Sequence, residues 1–140
     1  MKTFVVDASV ILRFLLKEDT ALVDIFSNML RDAKKRTLIL LSTPLLPLEV
    51  ANGLRFTLKD QKIAEEIGSI LLQLPILIVP LSDALIQKAL SFSYDCGTTV
   101  YDASYHVLSI ARNAMYITAY KKYFDKSKQL GKIELIGAKN

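Results

Sequence analysis

The chain has 140 residues, 51% hydrophobic and 23% charged, which suits one folded domain and excludes both a disordered chain and a two-domain protein. Its single cysteine, Cys96, excludes an internal disulfide and fits a reducing, cytoplasmic setting. The net charge is +4 and unevenly placed: from Arg112 onward there are seven basic and two acidic residues, whereas the first 111 residues hold 11 basic and 12 acidic, which reads either as a polyanion-binding face late in the chain or as a solvated surface.

The first predicted element is a strand, "TFVV" at 3–6, rich in β-branched and aromatic residues. It ends on Asp7, and apolar residues then resume at helical spacing. Next comes an amphipathic helix over 20–36, with Leu22, Val23, Phe26, Met29 and Leu30 on one stripe and the basic knot "RDAKKR" at its end. A strand "TLILLS" at 37–42 precedes a helix that begins after Pro44 and runs to about residue 59. A helix over 60–74 follows, then a strand "ILIV" at 76–79. A helix over 82–95 has Ser82 or Asp83 as its N-cap, and another runs from about Thr99 to Arg112 with Asn113 as its stop. The strands "MYIT" at 115–118 and "KIELI" at 132–136 complete the chain. Such alternation predicts an α/β fold, three-layer α/β/α with a mostly parallel central sheet, in one domain over 1–140. The two most apolar stretches, "LILLSTPLLPLEV" and "ILLQLPILIVPL", are short and broken by proline, so no membrane span is expected. The N-terminus reaches Asp7 at once and does not read as a signal peptide.

In open α/β sheets ligands bind at the carboxyl ends of the strands, beside helix N-termini. Asp7 stands on that rim. It reads either as the N-cap of the following helix or as a functional carboxylate. Two more acids sit where solvent placement is awkward: Glu49 in "PLLPLEVANGLR" and Asp102 in "TTVYDASYHVLS", each flanked by apolar side chains at a helix start. Burying an acid is costly unless something pairs with it. Three such acids suggest a shared cation, and oxygen-only ligands favour Mg2+ or Mn2+ over zinc.

The segments "VVDASVI", "PLEVANGLR" and "TVYDASYHVLS", in this order and spacing, resemble a PIN domain, the nuclease module of VapC-type toxins. The resemblance covers nearly the whole chain. It implies a metal-dependent endoribonuclease, the toxin of a toxin–antitoxin pair, with RNA as substrate, a cognate antitoxin protein as partner and a homodimer as assembly. It carries the metal-binding and catalytic roles onto Asp7, Glu49 and Asp102, and supporting or substrate-side roles onto Ser9 and Asn52. The family also has a fourth acid in a Thr-x-Asp pattern. Here "MYITAYKKYF" keeps Thr118 but sets Tyr120 in the acid's place, with Asp125 five residues on.

A carboxylate-bound divalent ion suits phosphodiester hydrolysis because it acidifies a bound water and neutralises phosphate charge. The acids themselves repel a polyanion, so cations must draw it in. Lys121 and Lys122, and Arg55 one turn beyond Asn52, are the candidates. His106 shares a helix face with Asp102, and a lone helical histidine of this kind reads as a polar side chain at the edge of the core. The rival reading keeps the fold and drops the chemistry: with Tyr120 at the fourth position, the domain grips RNA without cutting it. No glycine-rich phosphate loop is present, which disfavours a nucleotide-binding domain.

Overall fold

The computed structural model describes residues 1–137. The last three, including Lys139 of the basic stretch and the end of the expected 1–140 domain, lie outside the described residues. The elements in chain order are β1 (Lys2–Val6), α1 (Ala8–Leu15), α2 (Thr20–Lys34), β2 (Leu38–Ser42), α3 (Leu46–Thr57), α4 (Gln61–Leu71), β3 (Leu77–Ile78), α5 (Asp83–Cys96), α6 (Val100–Ala111), β4 (Met115–Thr118), α7 (Lys121–Ser127) and β5 (Ile133–Leu135). The five strands pair in the order β3-β2-β1-β4-β5, all parallel, with helices on both faces. The fold is the three-layer α/β/α arrangement expected from the alternation.

β1 is the central strand, and Val5 and Val6 on it are fully buried. Its neighbours β2 and β4 share that burial through Leu40, Leu41, Tyr116 and Ile117. The helices close the faces with Val10, Ile11, Leu22, Phe26, Val50, Leu54 and Leu108. Burying a side chain of this size contributes roughly 1.5–3 kcal/mol, so this contiguous cluster supplies the main driving force. Gly53 allows α3 to lie close on α1, because a Cβ there would sit 2.8 Å from Leu12 Cδ2.

Local chemistry sets the helix starts. Asp7, Asp19, Asp60, Ser82 and Thr99 each accept a backbone N–H three residues ahead, satisfying a donor the helix itself leaves open. Gly97 ends α5 in the left-handed region at φ +66°, where a side chain would be strained. The register Val6↔Ile117 brings the carboxyl end of β1 beside that of β4. Asp7 and Thr118, far apart in sequence, therefore share one rim.

Two details depart from the sequence expectation. The segment after Thr118, read only as a run of lysines, forms α7 and a short 3-10 turn at Lys128–Leu130. β3 is two residues long and exposed at the sheet edge, shorter than the "ILIV" run; Val79 still donates its N–H to the Ser42 carbonyl at 2.8 Å. Among the described residues, no helix is long and apolar enough to cross a membrane.

Candidate active site

Asp7 follows β1 and caps α1, so it is the N-cap, and it stands on the carboxyl rim of the sheet. It is only 6% exposed. Its Oδ1 accepts the Ser9 hydroxyl at 2.5 Å and the Val10 N–H at 3.2 Å. Its Oδ2 accepts the Tyr116 and Thr118 hydroxyls, each at 2.6 Å. Ser9 and Thr118 are held in turn by the chain after β4, since Ser9 Oγ accepts the Ala119 N–H at 2.9 Å and Thr118 Oγ1 accepts the Tyr120 N–H at 3.1 Å. Thr118 is fully buried, which places it beneath Asp7 as a support and out of reach of a bulky substrate.

Glu49 lies in the first turn of α3 and is partly buried. Its Oε1 accepts the Tyr105 hydroxyl in a short hydrogen bond from α6. Burial raises its pKa above the ordinary carboxylate value; the Tyr105 bond pulls it down, and the negative charges of Asp102 and Asp7 push it up. Asp102, in the first turn of α6, is raised chiefly by burial and then by Asp7, against a lowering by Thr99. Glu49 thus feels the charge of both Asp7 and Asp102, and Asp102 feels that of Asp7.

An all-oxygen, mutually repelling set of carboxylates fits a hard divalent cation in donor type and in charge. As placed, the acids are not a preformed cage: among the described residues no group of three or more His, Cys, Asp and Glu side chains is arranged to hold an ion. A cation could enter only by drawing the carboxylates inward.

The other predicted residues divide into two groups. Tyr120 and Lys122 line one recess together with Asp102, Thr98, Thr99 and Lys126, so they stand beside one of the three acids. Lys121 instead pairs with Asp125 at 2.6 Å on the surface of α7, which occupies both. Arg55 is exposed on α3 with its guanidinium over the Phe56 ring, and it lines a separate groove between α3 and α4 with Leu54, Leu58 and Gln61. Asn52 is exposed one turn after Glu49. The phenols of Tyr105 and Tyr116, which hold two of the three acids, were missed by sequence reasoning. Their signal lay in the register, since Tyr116 pairs with Val5, two residues before Asp7.

His106 is 0% exposed. Its Nε2–H donates to the Gly131 carbonyl at 2.7 Å, so Nδ1 is the acceptor for the Tyr123 hydroxyl at 2.8 Å. Both ring nitrogens are engaged, and the residue is part of the core. Burial lowers its pKa, against a raising effect of the Gly131 hydrogen bond. A histidine held neutral in the fold binds a proton more readily when unfolded. Its contribution to stability is therefore complete above its ordinary value of 6.5 and is lost as the pH falls from there toward the lower native value. In urea melts between pH 7 and pH 5.5, wild type should lose more stability on acidification than His106→Gln, a difference that isolates the histidine from Glu49 and Asp102, whose raised pKa values act in the opposite direction; equal slopes in the two proteins would contradict the assignment.

No family model and no curated protein sequence matches the chain. Solved structures do match. PAE2754 from Pyrobaculum aerophilum is 20% identical with a TM-score of 0.67, covering 94% of this chain and 83% of that one. VapBC2 from Rickettsia felis, bound to a DNA fragment from its promoter, is 15% identical with a TM-score of 0.69 over 96% and 98%. VapC20 from Mycobacterium tuberculosis, a sarcin–ricin loop cleaving toxin, is 11% identical with a TM-score of 0.64 over 83% and 87%. Likeness at these identities speaks to the fold alone: the chain has a PIN-like three-layer α/β/α fold, which it shares with these VapC-type structures.

Proposed function

We propose that this protein is a Mg2+- or Mn2+-dependent endoribonuclease, the toxin of a toxin–antitoxin pair, acting in the cytoplasm. The observation that carries this reading is the gathering of Asp7, Glu49 and Asp102 at helix starts on the carboxyl rim of the sheet, where burial and neighbouring carboxylates raise the pKa of Glu49 and of Asp102. A gathering of acids that weakens the fold at neutral pH is readily explained by a cation that relieves it. These three residues would hold the ion, which supplies an acidified water and neutralises phosphate oxygens. Ser9 and Thr118 keep Asp7 oriented toward the rim. Lys122 and Lys126 border the recess of Asp102 and offset the acids' repulsion of the RNA backbone. Asn52 and Arg55 extend the contact surface along α3.

The match to a toxin that cleaves a sarcin–ricin loop and to VapBC2 on promoter DNA supports RNA as substrate and an antitoxin as partner. A homodimer fits the exposed apolar side chains Leu48 and Phe56 on α3 and Ile63 and Ile70 on α4; light scattering at high concentration should report twice the chain mass, and a monomer there rejects it.

The rival reading, an RNA-binding module without activity, is favoured by Tyr120 in place of an acid. Incubation of the purified protein with structured RNA separates the two. Cleavage that needs Mg2+ or Mn2+ and stops with EDTA is expected; binding without cleavage at any metal concentration supports the rival.

A further inference from the structure

Asp7 has no lone pair to spare. A carboxylate offers about four acceptor directions, and in this chain Ser9, Val10, Tyr116 and Thr118 fill them, two on each oxygen. A direct metal–oxygen bond needs one of those directions. Glu49 differs: Tyr105 donates to Oε1, and among the described residues nothing donates to Oε2. An ion can therefore reach Glu49 without breaking a hydrogen bond, but it cannot reach Asp7 in that way.

Three of the four donors to Asp7 are anchored. The Val10 N–H belongs to α1, and Ser9 and Thr118 are each held by a backbone N–H of the 118–120 segment. The Tyr116 hydroxyl is the exception, and its ring is locked in place. It is 1% exposed and packs against the rings of Tyr105, His106 and Tyr123 at centroid distances of 6.1, 5.6 and 5.9 Å. The ring cannot leave, so only its O–H can turn away from Oδ2, with no solvent at hand to receive it. Bonds from a neutral donor to an ionised acceptor are among the strong ones, and losing one in a dry setting is costly.

We infer that Tyr116 competes with the divalent cation for Asp7, holding the carboxylate in a closed, hydrogen-bonded form that the ion must open. The inference rests on the metal-dependent reading above and specifies how that site is regulated within the chain. The phenol stabilises the metal-free fold and weakens metal affinity by the same bond.

The test titrates Mn2+ alone into the full-length wild type, Tyr116→Phe and Tyr94→Phe, by calorimetry and by the loss of the free-ion EPR signal. Melts with and without Mn2+ accompany it. Tyr116→Phe should bind Mn2+ about tenfold more tightly. It should melt lower than wild type without metal and gain more from the ion. Tyr94→Phe, which removes an exposed phenol on α5, should stay within about twofold. A purely structural tyrosine would give unchanged or weaker binding, and that result overturns the inference while leaving the metal reading in place. Should Tyr116→Phe not fold, Tyr116→Met, which also removes the hydroxyl and fills the space with an adaptable apolar side chain, takes its place, and unchanged or weaker binding there overturns the inference equally. Absence of Mn2+ binding in every variant overturns it too; RNA cleavage assayed in the same preparations then decides whether the nuclease reading falls with it.

Discussion

Asp7→Asn is expected to lower RNA cleavage by about three orders of magnitude while leaving the melting temperature within a few degrees of wild type. The activity loss follows from replacing a charged ligand by a neutral one: the cation's contribution is worth several kcal/mol, and each ~1.4 kcal/mol is tenfold in rate. Stability changes little because two effects oppose each other. The new Oδ1 still accepts from Ser9 and Val10, but Nδ2 faces Tyr116 and Thr118, whose O–H groups must turn away to accept from it and lose the bonds they made to the carboxylate. Removing one of three repelling charges offsets part of what is lost. Asp7→Ala separates the two roles. It leaves the Val10 N–H uncapped and the buried Tyr116 hydroxyl without its acceptor, and should cost about 2–4 kcal/mol in urea unfolding. An Asp7→Asn protein that is folded and retains more than about a tenth of the wild-type rate would show that Asp7 holds no catalytic ion.

The sequence made the scaffold legible because its physical signals are local. Thr3–Val6 and Met115–Thr118 are short β-branched and aromatic runs, and they became β1 and β4. Ser82 and Thr99 are caps whose chemistry acts over three residues. Asp7, Glu49 and Asp102 stood out as acids among apolar neighbours, and each does sit at a helix start. What the sequence hid is non-local. Tyr116 lies in the "MYIT" strand with nothing local to tie it to Asp7; only the parallel register of β1 and β4 aims its hydroxyl there. Tyr105 likewise reaches Glu49 from another helix, 56 residues away in sequence. α7 was missed because "KKYFDKS" has no side-chain cap and too short a stripe to register as periodic, so its helicity depends on Tyr123 and Ser127 being buried in tertiary contact. The lysines expected near the acids divide for the same reason. Helical spacing puts Lys121 beside Asp125, whereas Lys122 turns toward the recess of Asp102.

Tyr120→Asp should raise both metal affinity and cleavage rate, each by roughly tenfold. Tyr120 is the N-cap residue of α7, 41% exposed, with no side-chain capping bond, and it lines the recess that contains Asp102. A phenol keeps its proton near neutral pH and lends no charge to a cation. An aspartate at this position supplies that charge, and it is also among the preferred N-cap residues, worth about 1 kcal/mol to a helix that begins without one. Without metal, this capping gain is opposed by repulsion from Asp102, so the melting temperature should change little. With Mn2+ present the repulsion is relieved and the full gain should appear, so the signature is a larger Mn2+-induced rise than in wild type. Asp125 is not expected to fill the role unaided. Its carboxylate is paired with Lys121 at 2.6 Å, which is the main reason its pKa lies below the ordinary value, and it does not line the recess. Asp125→Asn should therefore leave the rate of both the wild type and the Tyr120→Asp protein unchanged. A fall in wild-type activity on Asp125→Asn, with no gain from Tyr120→Asp, would assign the fourth carboxylate to Asp125 after all and require the Lys121 pair to open when RNA binds.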